Sequence, residues 1–329
     1  MTALYDVAAI GNAIVDVIAP ADDAFLQAEG LARGAMTLVD QDQATALYGR
    51  MAKGMETSGG SGANTIVGVV SLGGRGAFIG KVADDALGAV FETDIIASGV
   101  RFGNAGPLVG GPATARCLIN VTPDGQRTMA TFLGAAGEVS PDDIDREIVE
   151  AARIVYLEGY LYDPLEARRA FAKAAALARG AGRLIALSLS DPFVVSRHRE
   201  TLLGFIEDQV DVLFANESEI TALFEADFDA SAAAVRSMVQ IAAVTRSEKG
   251  SVIVSGTETH EIAAFPVDKV IDTTGAGDQY AAGFCFGLAQ GRALPVCGKL
   301  GSMAAAEVIS HYGPRPQAPL AALAAKSGL

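Results

Sequence analysis

The chain has 329 residues, of which 50% are hydrophobic and 19% are charged, a composition that excludes an intrinsically disordered protein. Its length suits either two domains or one large α/β domain with an elaboration. Lys and Arg number 25 against 39 Asp and Glu, so the formal charge is −14, which argues against a nucleic-acid or anionic-membrane surface and requires any phosphate site to be local.

Short apolar runs alternate along the chain with longer segments of helical periodicity. The runs predict buried strands at 7–10, 77–82, 154–157, 184–187, 212–215 and 242–245. Segments between them, such as 86–98, 164–178 and 196–206, predict helices. This alternation is typical of βαβ units and predicts an α/β fold with a mostly parallel sheet.

One part of the chain departs from this alternation. Segments 114–121 and 127–132 read as two strands joined by a turn containing Pro123, Asp124 and Gly125. Together with the runs 14–18 and 36–39, this hairpin could form a small separate sheet. We therefore expect one domain over 1–329, with a lid from about 12–40 and 104–133 and a core from the remainder.

The targeting and redox features favour the cytoplasm. The first residues carry acidic rather than basic side chains, unlike a secretory signal. The longest uncharged run, 57–74, is rich in Ser, Gly, Asn and Thr and does not suit a membrane span. Cys117, Cys285 and Cys297 form no CxxC pair, which disfavours a disulfide framework.

The segment 272–284 has the sharpest chemical pattern. Its small residues let backbone N–H groups converge on an anion, and the helix that follows directs its positive N-terminus at the same point. Asp278 would then lie beside a bound phosphate. In the alternative interpretation Asp278 only caps the helix and the glycines only turn the chain, and the local pattern leaves both open.

Two further segments carry residues suited to a ligand, one before a predicted helix and one after the first predicted strand. Gly59 and Gly60 allow a flat ligand to approach the backbone, and Asn64 offers both a donor and an acceptor. Asn12 and Asp16 follow the first strand, where open α/β sheets bind ligands, and a carboxylate there can accept from two adjacent hydroxyls. A flexible loop and a solvated turn are the competing interpretations.

Asn216 and Glu219 lie three residues apart after the strand 212–215. They could hold Mg²⁺ through its waters, although the same pattern is common at helix caps. A P-loop is excluded because Arg75 stands where its first Gly belongs, and no complete GxGxxG follows the first strand. Scattered histidines make a zinc site or a His-based triad improbable.

Taken together and in this order, these segments resemble the ribokinase-like (PfkB) family of sugar and nucleoside kinases, from Gly11 to Gly313. The stretch 272–278 matches the family signature, and 59–64 matches its second motif. The resemblance implies a three-layer α/β/α fold with a mostly parallel central sheet plus a small β-sheet lid. Within the family, the spacing of Asn12 and Asp16 and the ending 304–313 are most similar to the adenosine kinases.

The resemblance implies transfer of the ATP γ-phosphoryl group to the 5′-OH of a ribonucleoside, with adenosine as the expected acceptor. Asp278 would accept the hydroxyl proton, and the N–H groups of Gly275, Ala276 and Gly277 would stabilise the charge on the phosphoryl oxygens. Arg127, at the exposed end of the hairpin, would reach the phosphates. A free sugar such as ribose or fructose is the alternative acceptor, because the Asn12 and Asp16 pair suits any vicinal diol.

The resemblance also assigns binding residues. The ribose would lie among Asn12, Asp16, Gly59, Gly60 and Asn64. Apolar walls for the base would come from Ile14, Met36, Cys117, Leu133, Tyr160 and Leu161, although adenosine kinases commonly have paired aromatic residues where this chain has Gly159-Tyr160-Leu161-Tyr162. The nucleotide and Mg²⁺ would be served by Asn216, Glu219, Thr245, Gly250 and Thr274. A K⁺ ion would lie near Asp272, Thr274, Val308, His311 and Gly313.

Three matters stay open at this stage. A non-catalytic binding protein on the same scaffold is disfavoured because binding alone needs no base at Asp278. A nicotinamide-dependent oxidoreductase is disfavoured because the dinucleotide fingerprint is missing. Exposed lid strands could pair with a second subunit or be covered by their own chain, so we expect either a monomer or a homodimer that acts on a small molecule.

Overall fold

The computed structural model describes residues 3–103 and 106–329, so the predicted start of the second lid segment, 104–105, lies outside the described residues. In chain order the described strands are β1 (Tyr5–Ile10), β2 (Ile14–Pro20), β3 (Met36–Leu38), β4 (Met55–Gly59), β5 (Gly76–Ile79), β6 (Arg101–Gly103), β7 (Ala115–Val121), β8 (Arg127–Phe132), β9 (Ala152–Glu158), β10 (Leu184–Ser188), β11 (Val212–Asn216), β12 (Ile241–Thr245), β13 (Ser251–Ser255) and β14 (Glu258–Ile262).

The described helices alternate with these strands. They are α1 (Asp23–Ala28), α2 (Gln41–Arg50), α3 (Ser61–Ser71), α4 (Ala86–Ala97), α5 (Arg146–Ala151), α6 (Leu165–Gly180), α7 (Pro192–Gln209), α8 (Glu217–Phe224), α9 (Phe228–Val235), α10 (Ala276–Ala289), α11 (Leu294–Val308) and α12 (Leu320–Lys326). In this described part of the chain, no helix combines the length and the apolar character that crossing a bilayer requires.

Nine strands form the large sheet, in the order β14-β13-β12-β11-β10-β9-β1-β5-β6. The seven strands β12, β11, β10, β9, β1, β5 and β6 run parallel. Strand β13 pairs antiparallel with β12, and the edge strand β14 pairs antiparallel with β13. The central strands are buried on both faces, as their continuous apolar sequences require. The predicted strand at 77–82 ends earlier, at Ile79.

Helices cover both faces of this sheet. On one face, Leu157 and Leu187 pack in a core with Phe171 of α6. On the other face, Tyr156 packs in a second core with Ile66 of α3 and Phe284 of α10. Helices α10 and α11 approach closely because Gly283 has no side chain, and a Cβ there would lie 2.4 Å from the Leu300 carbonyl oxygen. The predicted three-layer α/β/α fold is confirmed.

The second sheet has five strands in the order β3-β8-β7-β2-β4. The predicted hairpin is present as the antiparallel pair β7 and β8, and its turn includes Gly125 at a φ of 82°. Strand β4 completes the sheet although it lies outside the two segments expected to form it. Val15 and Val17 of β2 pack with Ala44 and Leu47 of α2, so the alternate residues of β2, including Asp16, face the other way.

Candidate active site

Parallel pairing brings the ends of β1 and β9 together, and polar residues follow at that edge of the sheet. Glu158, the last residue of β9, is 1% exposed. It accepts from the Asn12 side-chain amide and from the Gly62 N–H, each at 2.7 Å. Burial raises the pKa of Glu158 to about 7, against the hydrogen bonds from Gly62 and Asn12. The sequence patterns gave no role to Glu158, which fixes Asn12 and the start of α3.

The loop at Gly59 and Gly60 has no room for side chains. Gly60 lies at a φ of 95°, and a Cβ there would meet the Asn12 carbonyl oxygen at 2.2 Å. A Cβ on Gly59 would lie 2.4 Å from a carboxylate oxygen of Asp16. The absence of side chains at these two glycines therefore lets Asn12 and Asp16 lie close to the beginning of α3.

Asp16 is a buried carboxylate that lacks hydrogen-bond donors. It is 8% exposed, and no donor among residues 3–103 and 106–329 bonds to it. Burial raises its pKa to about 6; the charges of Arg315 and Arg127 oppose that rise, and the charge of Asp278 adds to it. A buried acceptor is normally paired, so Asp16 is suited to accept from hydroxyl groups of a ligand.

Asp278 lies in the first turn of α10 and faces across to α3. Its Oδ1 accepts from the Ser61 hydroxyl at 2.6 Å, and its Oδ2 lies 3.5 Å from the Asn64 amide nitrogen. Both carboxylate oxygens of Asp278 thus face α3, and no N–H of α10 among the described residues donates to them, so the capping interpretation of Asp278 is not the one the structure shows. Burial raises the pKa of Asp278 to about 6, against the hydrogen bonds from Ser61 and Asn64.

The turn before α10 presents backbone donors. Gly275 has a φ of 79°, and a Cβ there would lie 2.7 Å from the backbone of Pro314, so glycine is required twice over. The Ala276 N–H donates to the Thr273 carbonyl at 3.2 Å. The N–H groups of Gly275 and Gly277 have no acceptor in the described part of the chain. Two of the three expected amides are therefore open to an anion at a helix N-terminus.

The sequence suggested that Arg127 lies at an exposed hairpin tip, but in the structure its side chain is buried. Its side chain is 8% exposed and forms an ion pair with Asp272 at 2.7 Å. The guanidinium lies 5.9 Å from the ring centre of Tyr312. Its Nε and Nη1 have no hydrogen-bond partner among the described residues. A buried guanidinium with two unused donors fits an anionic ligand such as phosphate.

The residues expected near a K⁺ ion lie in two neighbouring loops, joined by the bond from the Ile271 N–H to the Ile309 carbonyl at 2.8 Å. Asp272 accepts from the Thr274 hydroxyl at 2.7 Å and from the Gly313 N–H at 3.1 Å. His311 contacts Glu307 at 3.2 Å, and Val308, the last residue of α11, is buried. Among the described residues no group of three His, Cys, Asp or Glu is arranged to hold a metal ion.

Asn216 and Glu219 form a reciprocal cap at the start of α8. Asn216 accepts from the Glu219 N–H at 2.8 Å, and Glu219 accepts from the Asn216 N–H at 2.9 Å. Burial raises the pKa of Glu219 to about 7, and the charges of Asp191 and Asp278 add to that rise. The capping alternative is thus present in the structure. Because the charge of Asp278 contributes to the raised pKa of Glu219, the two carboxylates act on each other electrostatically.

Thr245 and Gly250, which were expected on the nucleotide side, lie at the connection between β12 and β13. Thr245 ends β12, and its hydroxyl is 3.5 Å from the Ala215 carbonyl. Gly250 lies at a φ of 83°, and a Cβ there would meet the Ile262 carbonyl oxygen at 2.0 Å. The fold therefore requires glycine at 250 whatever ligand binds nearby.

The expected apolar walls divide into three groups. Ile14 and Leu133 are half-buried, and Cys117 lies beside Asp16 in the small sheet, as a wall requires. Met36 and Tyr160 are 50% and 40% exposed. Leu161 is fully buried in the core that contains Phe171, because a 3₁₀ turn over Gly159–Tyr162 directs it inward. Leu161 is therefore not placed to line a cavity.

The small sheet is joined to the core in this structure. Besides the Arg127–Asp272 pair, the hairpin turn is so close to Tyr312 that a Cβ on Gly125 would lie 2.3 Å from its hydroxyl oxygen. A groove of about 470 Å³ borders this contact and is lined by residues that include Ile18, Val121, Arg127 and Tyr312. Asp278 is not among the residues that line it.

The chain matches the model of the pfkB family carbohydrate kinases over residues 6–321. It belongs to the pfkB family. An adenosine kinase from Sinorhizobium meliloti is 49% identical, with 98% of this chain and 99% of that chain covered and a TM-score of 0.90. A probable sugar kinase from Rhizobium etli CFN 42 is 43% identical, with 99% of both chains covered and a TM-score of 0.92.

A more distant relative is the adenosine kinase of Saccharomyces cerevisiae, 28% identical over 328 residues that cover 93% of this chain and 95% of the relative. Membership of the pfkB family, together with these relatives, makes the protein a nucleoside or sugar kinase. Kinases of this kind use ATP with Mg²⁺. The unused donors of Arg127 and of Gly275 and Gly277 fit the phosphates of ATP.

Proposed function

We propose that this pfkB kinase transfers the γ-phosphoryl group of ATP to the 5′-OH of a ribonucleoside, with adenosine as the acceptor. The observation that carries the proposal is the presence of two carboxylates in one cleft, the buried Asp16, which has no donor among the described residues, and the half-buried Asp278, which bonds to Ser61 of α3. Asp16 lacks a protein donor and suits the two ribose hydroxyls. Asp278 lies beside open amides and suits the primary hydroxyl that is phosphorylated.

The chemistry follows from this placement. The acceptor oxygen forms a bond to the γ-phosphorus while the bond from that phosphorus to the bridging oxygen breaks, and ADP leaves. The hydroxyl proton passes to Asp278 as the new bond forms. The N–H groups of Gly275 and Gly277 stabilise charge on the transferred oxygens. Mg²⁺, when bound, neutralises phosphate charge, and Glu219 with Asn216 would hold it through water.

A nucleoside is favoured over a free sugar by the walls around Asp16. Ile14, Leu133 and Cys117 offer an apolar surface that a sugar alone would not need. Two of the relatives described above are adenosine kinases. The second candidate, phosphorylation of a free sugar, is favoured by the Rhizobium etli relative and by the fact that Asn12 and Asp16 suit any vicinal diol.

An acceptor panel separates the two candidates. ADP formation is measured with ATP, Mg²⁺ and each of adenosine, inosine, guanosine, cytidine, ribose and fructose. We expect the highest kcat/KM with adenosine. A preference for ribose or fructose would replace the nucleoside with a sugar and leave phosphoryl transfer in place.

Activity is expected to fall steeply below about pH 6. Both Asp16 and Asp278 must be ionised to accept hydrogen bonds or a proton, and burial raises the pKa of each to about 6. Activity is therefore present above pH 6 and is lost as the pH falls through 6, where log(kcat/KM) against pH should approach a slope of two. A profile that stays flat down to pH 4.5 would contradict the assignment of these groups.

Binding of both substrates is expected to slow amide hydrogen exchange in the hairpin, residues 114–132. Opening of the small sheet must break the Arg127–Asp272 pair, and substrates that touch both sides should hold it closed. Exchange is compared for the free enzyme, for adenosine alone and for adenosine with a non-hydrolysable ATP analogue. Strand β11, in the core, is the internal control. Equal exchange in all three states would contradict a mobile lid.

We further propose that a K⁺ ion supports turnover beside the turn at Asp272 and Thr274. The loop that carries His311 and Gly313 meets this turn through backbone and side-chain bonds. An ion there would fix the backbone of the turn and so keep the N–H groups of Gly275 and Gly277 in position for an anion. Turnover is compared in K⁺ and in tetramethylammonium at equal ionic strength. We expect higher kcat in K⁺, and equal rates would remove the ion from the mechanism.

A further inference from the structure

Arg315, which follows the Gly313-Pro314 turn, makes three hydrogen bonds to three different elements. Its Nε donates to Asn64 Oδ1 at 3.1 Å, its Nη1 to Asp94 Oδ2 at 2.9 Å and its Nη2 to Ser58 Oγ at 2.7 Å. These partners lie on α3, α4 and β4. No sequence motif drew attention to Arg315, yet it lies directly behind the acceptor side of the cleft.

The first of these bonds fixes the orientation of the Asn64 amide. Because Arg315 has only donors, it must face the carbonyl oxygen of Asn64, which leaves the amide nitrogen directed at Asp278. The backbone on both sides is held as well, since Gln279 donates to the carbonyls of Asn64 and Pro314 at 3.0 and 3.1 Å. Asn64 is thus presented to the acceptor with its donor facing inward.

The second consequence is electrostatic. The charges of Arg315 and Arg127 favour the ionised form of Asp16, and the charge of Asp278 favours its protonated form. The thiol of Cys117 also lies near Asp16. Asp94 forms an ion pair with Arg315, and it also accepts hydrogen bonds from the N–H and the hydroxyl of Ser58. Gly59 is so close to the Asp16 carboxylate that a Cβ there would lie 2.4 Å from one of its oxygens, and Arg315 bonds to Ser58, the residue before Gly59. The charge of Arg315 at this place lowers the pKa of Asp16, against the rise that burial causes.

We infer that Arg315 is a positioning residue of the acceptor site, which sets the direction of the Asn64 amide and supplies a positive charge beside the Asp16 carboxylate, where the vicinal hydroxyls of the acceptor bind. This inference rests on the proposed function. Arg315 acts through Asn64 and Asp16, so its loss should weaken acceptor binding without weakening the binding of ATP. A purely structural arginine would have no such selectivity and no effect on pH dependence.

The test is calorimetric binding of adenosine at pH 6 and at pH 8, without ATP, to the wild type and to three variants. R315Q removes the positive charge and the guanidinium that makes the three hydrogen bonds. R315K keeps the charge but not the fork, because an ammonium cannot match that planar geometry. R236Q is the matched control, since Arg236 also makes three hydrogen bonds, but to the distant β13–β14 edge. Binding of ATP is measured in parallel.

We expect R315Q to lose at least about tenfold in adenosine affinity at pH 8, and clearly more at pH 6, where Asp16 without its neighbouring cation is protonated. R315K should lose affinity by the same factor at both pH values, and R236Q should match the wild type. ATP affinity should be unchanged in all of them. If R315Q does not fold, R315K and S58A, which removes one partner of Arg315, carry the test.

Wild-type adenosine affinity in a folded R315Q at both pH values would overturn the inference, as would equal losses for adenosine and ATP. A loss in R315Q that is the same at pH 6 and pH 8 would overturn the electrostatic role. Failure of the wild type itself to bind or phosphorylate any acceptor of the panel would instead overturn the proposed function, so the two failures are distinguishable.

Discussion

Replacing Asp278 with Asn is expected to lower kcat by about 10² to 10⁴, the usual contribution of a general base. The amide keeps nearly the same shape and can still accept from the Ser61 hydroxyl, but it cannot take the proton of the attacking alcohol. Adenosine affinity should change only a few-fold, because the ribose contacts at Asp16 and Asn64 are intact. Steady-state kinetics and calorimetric binding measure the two quantities separately.

The matched control is Asp229→Asn, which removes an exposed carboxylate from the first turn of α9. Its kcat should equal that of the wild type. Near-normal turnover in the Asp278 variant would contradict the base assignment. A combined loss of kcat and of adenosine affinity would instead point to a collapsed acceptor site, which the melting temperature would reveal.

Replacing Asp16 with Asn is expected to lower kcat/KM for adenosine by about 10², mostly through KM. A carboxylate can accept from both ribose hydroxyls, whereas an amide offers one acceptor and brings two donors of its own, and each hydrogen bond to a charged group contributes roughly 1.5 to 3 kcal/mol. The KM for ATP should not change, because Asp16 lies on the acceptor side of Asp278.

Stability separates this effect from unfolding. The pKa of Asp16 in the folded protein is raised to about 6, above its ordinary value. At neutral pH its ionised form therefore has a higher free energy in the folded protein than in the unfolded chain and destabilises the fold. The Asp16 variant should therefore melt no lower than the wild type at pH 8. The control Asp124→Asn removes an exposed carboxylate of the same small sheet and should leave kinetics unchanged. An unaltered kcat/KM in the Asp16 variant would contradict the diol contact.

The fold and much of the site could be predicted because their signals are local. Continuous apolar runs such as 7–10 and 242–245 have no polar face to expose and must be buried strands, and the Pro-Asp-Gly turn marked the hairpin. Gly59, Gly60 and the segment 272–278 likewise carry their chemistry within a few residues. Parallel pairing of β1 and β9 then brings these segments to one edge of the sheet.

The residues that sequence reasoning missed have no local pattern. Glu158 is an isolated acid whose partner Asn12 is 146 positions away, and Arg315 meets Ser58 across 257 positions. One usable signal was present for Glu158, a carboxylate at the end of an otherwise apolar strand. Leu161 was expected in an apolar wall from the family resemblance, but a 3₁₀ turn over Gly159–Tyr162 places it in the core.

Arg127 shows a different limit. Its position at the start of β8 followed from the hairpin, but its exposure did not, because the closed position of the small sheet depends on Asp272 and Tyr312, residues from the far end of the chain. The sequence could place the cation in the lid, but only the tertiary structure shows that the guanidinium is buried with two unused donors. Its action on phosphate remains part of the proposal.

The most direct measurement of the central claim is identification of the product by ³¹P NMR. Wild-type enzyme is incubated with ATP, Mg²⁺ and adenosine, and the Asp278→Asn variant is run beside it. We predict that the 5′-phosphate of adenosine appears in equal amount with ADP in the wild type, and far more slowly in the variant. Release of ADP with inorganic phosphate and no phosphorylated acceptor, or the same rate of product formation in both proteins, would contradict it.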